Sequence, residues 1–435
     1  MARSGGPPPA TRRRLSCAPT IHCLDGDLLR RVLLRLPSLA ALVRAASAWV
    51  EFRRAVASDP VFRLRFRAAH SPLVGFFFDP PEDTAPAVPS FLPARRDDPD
   101  LARLIRSWDF FLTPLHVSPE EVNPRWGVVD VRGGKLLLQM TIDPTLRLLA
   151  VLNPMARPGR VQAYFNLSAA SIRALEEGDP HIHMYFKMPR LLCADEDPSR
   201  FRIFCLINDE SRVRVLVFAH DDKDGLLLPW VPAPGRQDPE HGSLLWLEEG
   251  ILVGHFIYWF YRNHRYVVIM DTRELSLGYH VQAVHPSLNL SDYEHYLLLG
   301  GHTVNANDLE PSLHIVYADG SRICCKLSAL HGNPAEPWIA GGVTDLGTQF
   351  DQMAVFVPGL LLEALKDGFL YFAIPQTEQY AAPCWFLSFN METRELEKLF
   401  LRLEDANFQP YHMPWPRFLL GDYGSFAGKD ALTSA

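Results

Sequence analysis

The spacing of apolar residues along this chain changes character once, near residue 70. Before that point it is helical. Leu28, Leu29, Val32, Leu33 and Leu36 fall at i, i+1, i+4, i+5 and i+8, which gathers them on one face of a helix. Asp25 and Asp27 stand where a carboxylate accepts from free first-turn N–H groups and favours the positive end of the helix dipole. Pro37 stops the helix, because the residue before a proline is pushed out of the helical region. Ser38 can cap a second helix carrying Leu39, Leu42 and Val43. A third segment runs through Trp49, Phe52 and Val56. Ser58-Asp59-Pro60 opens a fourth, with proline at an early position and Phe62 and Phe66 four apart.

After His70 that pattern is lost. Prolines are dense from Pro72 to Pro124, so loops and edge strands are expected there. From about Trp126 onward the chain is a series of short apolar or alternating runs broken by turn residues. They include Lys135–Met140, Leu146–Leu152, Phe201–Ile207, Arg212–Ala219, Ile251–Trp259, Tyr266–Met270, Leu313–Tyr317, Arg322–Leu327, Phe369–Ile374 and Trp385–Phe389. Many short strands at near-regular spacing predict an all-β repeat structure. Several of them end on an acid or amide at a turn: Asn153, Asp221, Asp271, Asp319 and Glu392, separated by 68, 50, 48 and 73 residues. The shorter intervals fit propeller blades of roughly 40–50 residues, and the longer ones leave room for insertions. Two segments share lettering, VVIMDTRELSL at 267–277 and FLSFNMETRELEKL at 386–399, and each follows an aromatic pair, Tyr258-Trp259 or Tyr371-Phe372. A propeller of five to seven blades is the expected architecture, since radial repetition protects sheet edges.

Charge sharpens the division. The formal net of the 435 residues is -7, yet residues 1–23 carry +4 and residues 24–70 carry +5, which leaves -16 for the rest. A basic headpiece on an acidic body points to an acidic partner for the headpiece. It argues against nucleic-acid binding by the body, because that depends on neutralising phosphates. Residues 1–20, with four prolines and the Arg12–Arg14 cluster, are expected to be a disordered basic tail. The expected organisation is therefore this tail, a helical domain at 21–70, a β-propeller-like domain at 71–425 and a second tail at 426–435. No uncharged apolar run approaches the ~18–20 residues of a membrane span.

Motifs for catalysis or metal binding are sparse. The seven cysteines are scattered and form no CxxC pair, which suits reduced thiols of a cytoplasmic or nuclear protein. His181 and His183 point to one face of a strand but lack a third ligand for zinc. Asp221-Asp222-Lys223-Asp224-Gly225 fails the EF-hand frame and reads as a solvated hairpin turn. Gly133-Gly134-Lys135 lacks the phosphate-loop frame and reads as another. Cys324 and Cys325 point to opposite faces of a strand. No catalytic residue, metal or cofactor is expected.

Residues 24–66 resemble an F-box. That family's opening Leu-Pro, Glu-Leu-Leu, Ile-Leu and Arg-Leu-Pro positions fall on Leu24-Asp25, Asp27-Leu28-Leu29, Val32-Leu33 and Arg35-Leu36-Pro37. A downstream Leu and Arg match Leu42 and Arg44, Cys-x-x-Trp matches Trp49-Val50-Glu51-Phe52, and Pro-x-Phe matches Pro60-Val61-Phe62. Asp25 and Trp49 depart from the pattern, standing where the family has proline and cysteine. The remainder looks like the propeller-type substrate region of plant F-box proteins, especially the large grass families. The resemblance implies a non-catalytic substrate-recognition adaptor of a Skp–cullin–F-box ubiquitin ligase. It would dock on the small acidic Skp adaptor, and through it a cullin, by Leu24, Leu28, Leu29, Val32, Leu33, Leu36, Pro37, Leu42, Trp49 and Phe52. Two alternatives stay open: a protein-binding module without ubiquitin transfer, and a propeller hydrolase with paired carboxylates in its central funnel.

Overall fold

From Leu73 to His412 the strands of the computed structural model fall into six antiparallel sheets. The structure describes residues 25–420 other than 58, 81–86, 96, 117–124, 144–145, 157–160, 168–184, 187–188, 194–199, 209–211, 234–246, 248–249, 262–264, 274–278, 288–295, 306–307, 329–332, 336, 356, 358, 367, 378–382 and 404–406. The chain divides into two units: residues 1–66 with 418–435, and Arg67–Arg417. Among the described residues, no helix is long and apolar enough to cross a membrane.

The second unit is a six-bladed β-propeller. Strands β1 (Leu73–Phe78) and β2 (Ser90–Pro93) come first, and a helix at Pro99–Ser107 follows them. Blade 1 holds β3 (Arg125–Arg132), β4 (Lys135–Asp143), β5 (Leu146–Leu152) and β6 (Val161–Asn166). Blade 2 holds β7 (Tyr185–Phe186), β8 (Arg190–Cys193), β9 (Phe201–Asn208), β10 (Arg212–Ala219), β11 (Asp222–Leu227) and β12 (Val231–Pro232). Blade 3 is β13 (Ile251–Val253), β14 (Phe256–Phe260), β15 (Tyr266–Asp271) and β16 (Tyr279–Ala283). Blade 4 is β17 (Tyr296–Asn305), β18 (Asp308–Asp319), β19 (Arg322–Ser328) and β20 (Trp338–Asp345). Blade 5 is β21 (Leu361–Lys366), β22 (Phe369–Pro375), β23 (Pro383–Asn390) and β24 (Leu396–Leu403). The last strand, β25 (Phe408–His412), pairs with β1 to make the sixth sheet, β2-β1-β25.

The ring closes because each sheet is apolar on both faces. Six clusters of buried residues fill the six gaps between neighbouring blades. In β9, Ile203, Cys205 and Ile207 join the cluster shared with blade 1, while the alternate residues Phe204 and Leu206 join the one shared with blade 3. In β1, Phe76 and Phe78 face blade 5 and Phe77 faces blade 1. Phe76 meets Tyr371, Phe400 and Phe408 edge-on, with centroids 5.3–5.5 Å apart. Gly75 lets β2 lie close against β1, since a methyl group there would overlap the Leu92 carbonyl and the Phe91 ring.

Blade number falls inside the expected range, and three finer expectations are corrected. Ile251–Trp259 is a hairpin, turning at Gly254 (φ 58°), and not one strand. Between Pro72 and Pro124 lie a fully buried sheet strand, β1, and the helix Pro99–Ser107. Asp98 caps that helix by accepting from Leu101 N (3.1 Å), and Leu101, Leu104 and Ile105 pack on the blade 1 core. Asp319 precedes a third strand, whereas the repeating turn residue follows it. In blades 1, 2, 3 and 5, Asn153, Asp222, Asp271 and Asn390 each accept, through Oδ1, the N–H two residues on. The two segments of shared lettering reach this same place in blades 3 and 5, at Asp271 and Asn390, and residues 274–277 of the first lie outside the described residues. Gly133-Gly134 is indeed a hairpin turn, joining β3 to β4.

Candidate functional site

Three helices and most of a fourth build the first unit: α1 (Gly26–Leu33), α2 (Leu39–Ala48), α3 (Val50–Ala57) and α4 (Pro60–Ala69), whose last turn belongs to the second unit. Three begin on the residues that chemistry selects. Asp25 accepts from Leu28 N (2.7 Å), Ser38 from Ala41 N (3.2 Å) and Asp59 from Phe62 N (3.0 Å). Asp59 also takes Arg30 Nε of α1 at 3.3 Å, so one carboxylate caps α4 and anchors α1. Leu29, Leu33, Leu42, Ala46, Val56, Phe62 and Phe66 are buried, and the two phenyl rings stack with centroids 5.9 Å apart. The chain's later residues contribute as well: the Arg53 guanidinium lies 5.5 Å from the centroid of the Phe418 ring.

The apolar stripe of α1 is thereby split. Leu29 (5% exposed) and Leu33 (1%) belong to the interior, as does Leu42 of α2. Leu28 and Val32 are 44% and 43% exposed, one helical turn apart, with the exposed Arg31 between them and exposed Arg35 just beyond. The helix stops at Leu33, short of the expected end, so Leu36 lies half-buried in the following bend and Pro37 is exposed. Trp49 is the single residue between α2 and α3, in extended conformation, with its indole edge-on to Phe52 at 4.6 Å. Both rings are half-buried, and Val50, next to Trp49, is 47% exposed. Leu24 and the pair His181/His183 lie outside the described residues. Val50 was missed by sequence reasoning, for it matches no fixed position of the motif.

Chemistry in the propeller centres on ties between strands. Lys366, at the end of β21, donates from Nζ to the carbonyls of Val131 in β3 (2.6 Å) and Pro410 in β25 (3.1 Å), so one ammonium joins blades 5, 1 and 6. The buried Asp130 of β3 accepts from Leu191 N of β8 (2.9 Å). His314 Nδ1 lies 3.7 Å from the Cys325 sulfur, but burial pushes that thiol up to about 11, the wrong direction for a nucleophile at neutral pH. The hairpin turn expected at Asp221–Gly225 is shorter: it is His220-Asp221, and Asp222, already the first residue of β11, accepts from Asp224 N and Gly225 N.

No protein-family model matches the sequence, and no curated protein matches it. Among solved structures the chain is similar to the SapL1 lectin in complex with alpha methyl fucoside, at 9% identity and a TM-score of 0.33, over 67% of this chain and 82% of that one. It is also similar to the polysaccharide lyase Uly1, at 10% identity and a TM-score of 0.36, over 64% of this chain and 58% of that one. A post-proline cleaving enzyme from Rickettsia typhi matches 88% of this chain with 58% of its own, at 9% identity and a TM-score of 0.35. This chain thus spans under two thirds of the length of the latter two. Likenesses this loose carry no argument about function.

Proposed function

We propose that this chain is the substrate-recognition adaptor of a Skp–cullin–F-box ubiquitin ligase, its helices docking on the Skp adaptor and its propeller holding the target. The observation that carries the reading is the outward pair Leu28 and Val32, flanked by Arg31 and Arg35, on a helix whose other apolar residues are buried. Apolar anchors inside a basic border suit a partner that is apolar at its centre and acidic around it. These residues also fall on the F-box positions of the sequence. The propeller supplies a rigid protein-binding scaffold, and its contribution to catalysis is proximity: it holds a target lysine near a conjugating enzyme bound elsewhere.

The test is capture of a purified Skp-type adaptor and cullin by the full chain, beside Val32→Asp. The aspartate sits on an exposed position, so melting should not change, while an unpaired charge in an apolar contact weakens binding strongly. Adaptor capture by the parent chain, lost in the variant, is the expected result. Equal capture by both, or none by the parent, overturns the proposal.

A further inference from the structure

The caps of the helical unit are local, but its interior is not. Between Asp25 and Phe66 the large buried apolar side chains are Leu29, Leu33, Leu42, Val56, Phe62 and Phe66. The helices that carry them are 8–10 residues long. Isolated helices shorter than ~12–15 residues are marginal in water, so these depend on tertiary packing. A domain of roughly 40 residues seldom buries enough surface to stand without reinforcement.

Reinforcement comes from a distant stretch of sequence. Phe418, Leu419 and Leu420 belong to this unit, together with residues 1–66. They lie in and just after a single helical turn, Arg417–Leu419, which follows the closing strand β25 by a few residues. Leu419 is fully buried and Leu420 half-buried, which adds a branched aliphatic side chain to a small interior. Phe418 meets the Arg53 guanidinium of α3, 5.5 Å from its ring centroid. The chain leading to this turn is fixed within the propeller unit. Met413 N donates to the Pro72 carbonyl (2.8 Å), the Met413 carbonyl accepts from Arg67 Nη2 (2.9 Å), and Trp415 is buried.

We propose that Phe418–Leu420 is a strap that completes the interior of the helical unit, so α1–α3 are held firmly only in a chain that extends past the closing strand. The exposed pair Leu28 and Val32 stands on α1, whose inner residues Leu29 and Leu33 need that interior. Docking on an adaptor is thereby withheld from chains interrupted before residue 418. This consequence for docking rests on the function proposed above, whereas the strap itself does not.

Amide exchange of the full chain, read element by element, tests the strap. Leu419→Ala should speed exchange in α1–α3 about thirtyfold or more, the factor implied by loss of a buried leucine, and leave β9 and β22 unchanged. Phe418→Ala, at a half-buried position, should act on the same helices by a smaller factor. Exchange in α1–α3 that Leu419→Ala leaves as in the parent overturns the proposal, and so does a rise confined to the blades. Adaptor capture is read in parallel with Leu419→Asp, which places a charge in the interior and drives the strap out. Capture by the parent, lost in this variant while β9 and β22 keep their protection, is the expected result. Equal capture by both overturns the link between strap and docking. A parent chain that captures no adaptor, with exchange responding as expected, sinks the ligase reading and leaves the strap standing.

Discussion

The helical unit and the propeller are stabilised over very different distances along the chain. In the helices the decisive bonds are local: Asp25 to Leu28, Ser38 to Ala41 and Asp59 to Phe62, each three residues apart. In the propeller they join opposite ends. Leu73 to Phe78 pair with His412 to Phe408, and the aromatic cluster around Phe76 draws on blade 5 as well as on the last strand. A local defect in the helices therefore stays local, whereas a defect in the closing blade reaches every blade. Chain connectivity, more than the strength of single contacts, decides how far damage spreads.

The severest way to break this contrast is to end the chain at Leu403. That removes β25, strips β1 of a partner and leaves Phe76, Phe77 and Phe78 facing water. The cooperative unfolding transition of the propeller should disappear, with binding of a hydrophobic dye in its place. A protease-resistant core after this truncation would mean that the blades do not depend on closure. Next in size is Phe76→Ala, which empties the centre of the Tyr371, Phe400 and Phe408 cluster. Removing a buried phenylalanine costs about 3–5 kcal/mol, read as a lower denaturation midpoint for the whole propeller.

Ser38→Ala sharpens the other side. It should cost about 1 kcal/mol through the lost cap of α2, seen as faster amide exchange in α1–α4 with no change in the blades. The smallest effect belongs to Asp79, which follows β1 and accepts from Val128 N of β3 at 2.9 Å. Burial raises its pKa above the usual carboxylate value, against the lowering effect of the Val128 N–H, Asn407 and Arg125. The folded chain thus holds this proton to higher pH than the unfolded chain does. Stability falls as pH climbs from the ordinary carboxylate range through the raised value, and levels off above it. Asp79→Asn keeps an acceptor for Val128 and should flatten that fall in melting temperature.

How much of this was legible beforehand follows from what each strand faces. The runs read as strands are mainly second and third strands of blades, such as Phe201–Ile207, apolar on both sides because both sides meet a neighbouring blade. First strands are mixed: β3 carries Asp130, and β21 ends on Lys366. Outer strands such as β6 show Gln162, Tyr164 and Asn166 to water. Both read as loop. The helix Pro99–Ser107 escaped notice because its cap and first turn, Asp98-Pro99-Asp100, follow a proline-rich stretch that signals loop. In α1, periodicity gathered Leu28, Leu29, Val32 and Leu33 on one side. Only the neighbouring helices decide that the second and fourth turn inward while the first and third remain outside.

The order of closure also sets a clock on synthesis. A ribosome releases β1 early but completes its partner only at His412, and the interval from Phe78 to that residue is 334 residues. At about 5–20 residues per second, roughly 20–70 s pass during which Leu73–Phe78 has no final partner. The nascent chain must keep a run of three phenylalanines from other chains for that whole time, while the local caps of α1, α2 and α4 can already have formed ahead of it. Crowded polysomes, slow codons or a shortage of chaperones would therefore act first on the propeller's yield, long before they touched the stability of the finished ring.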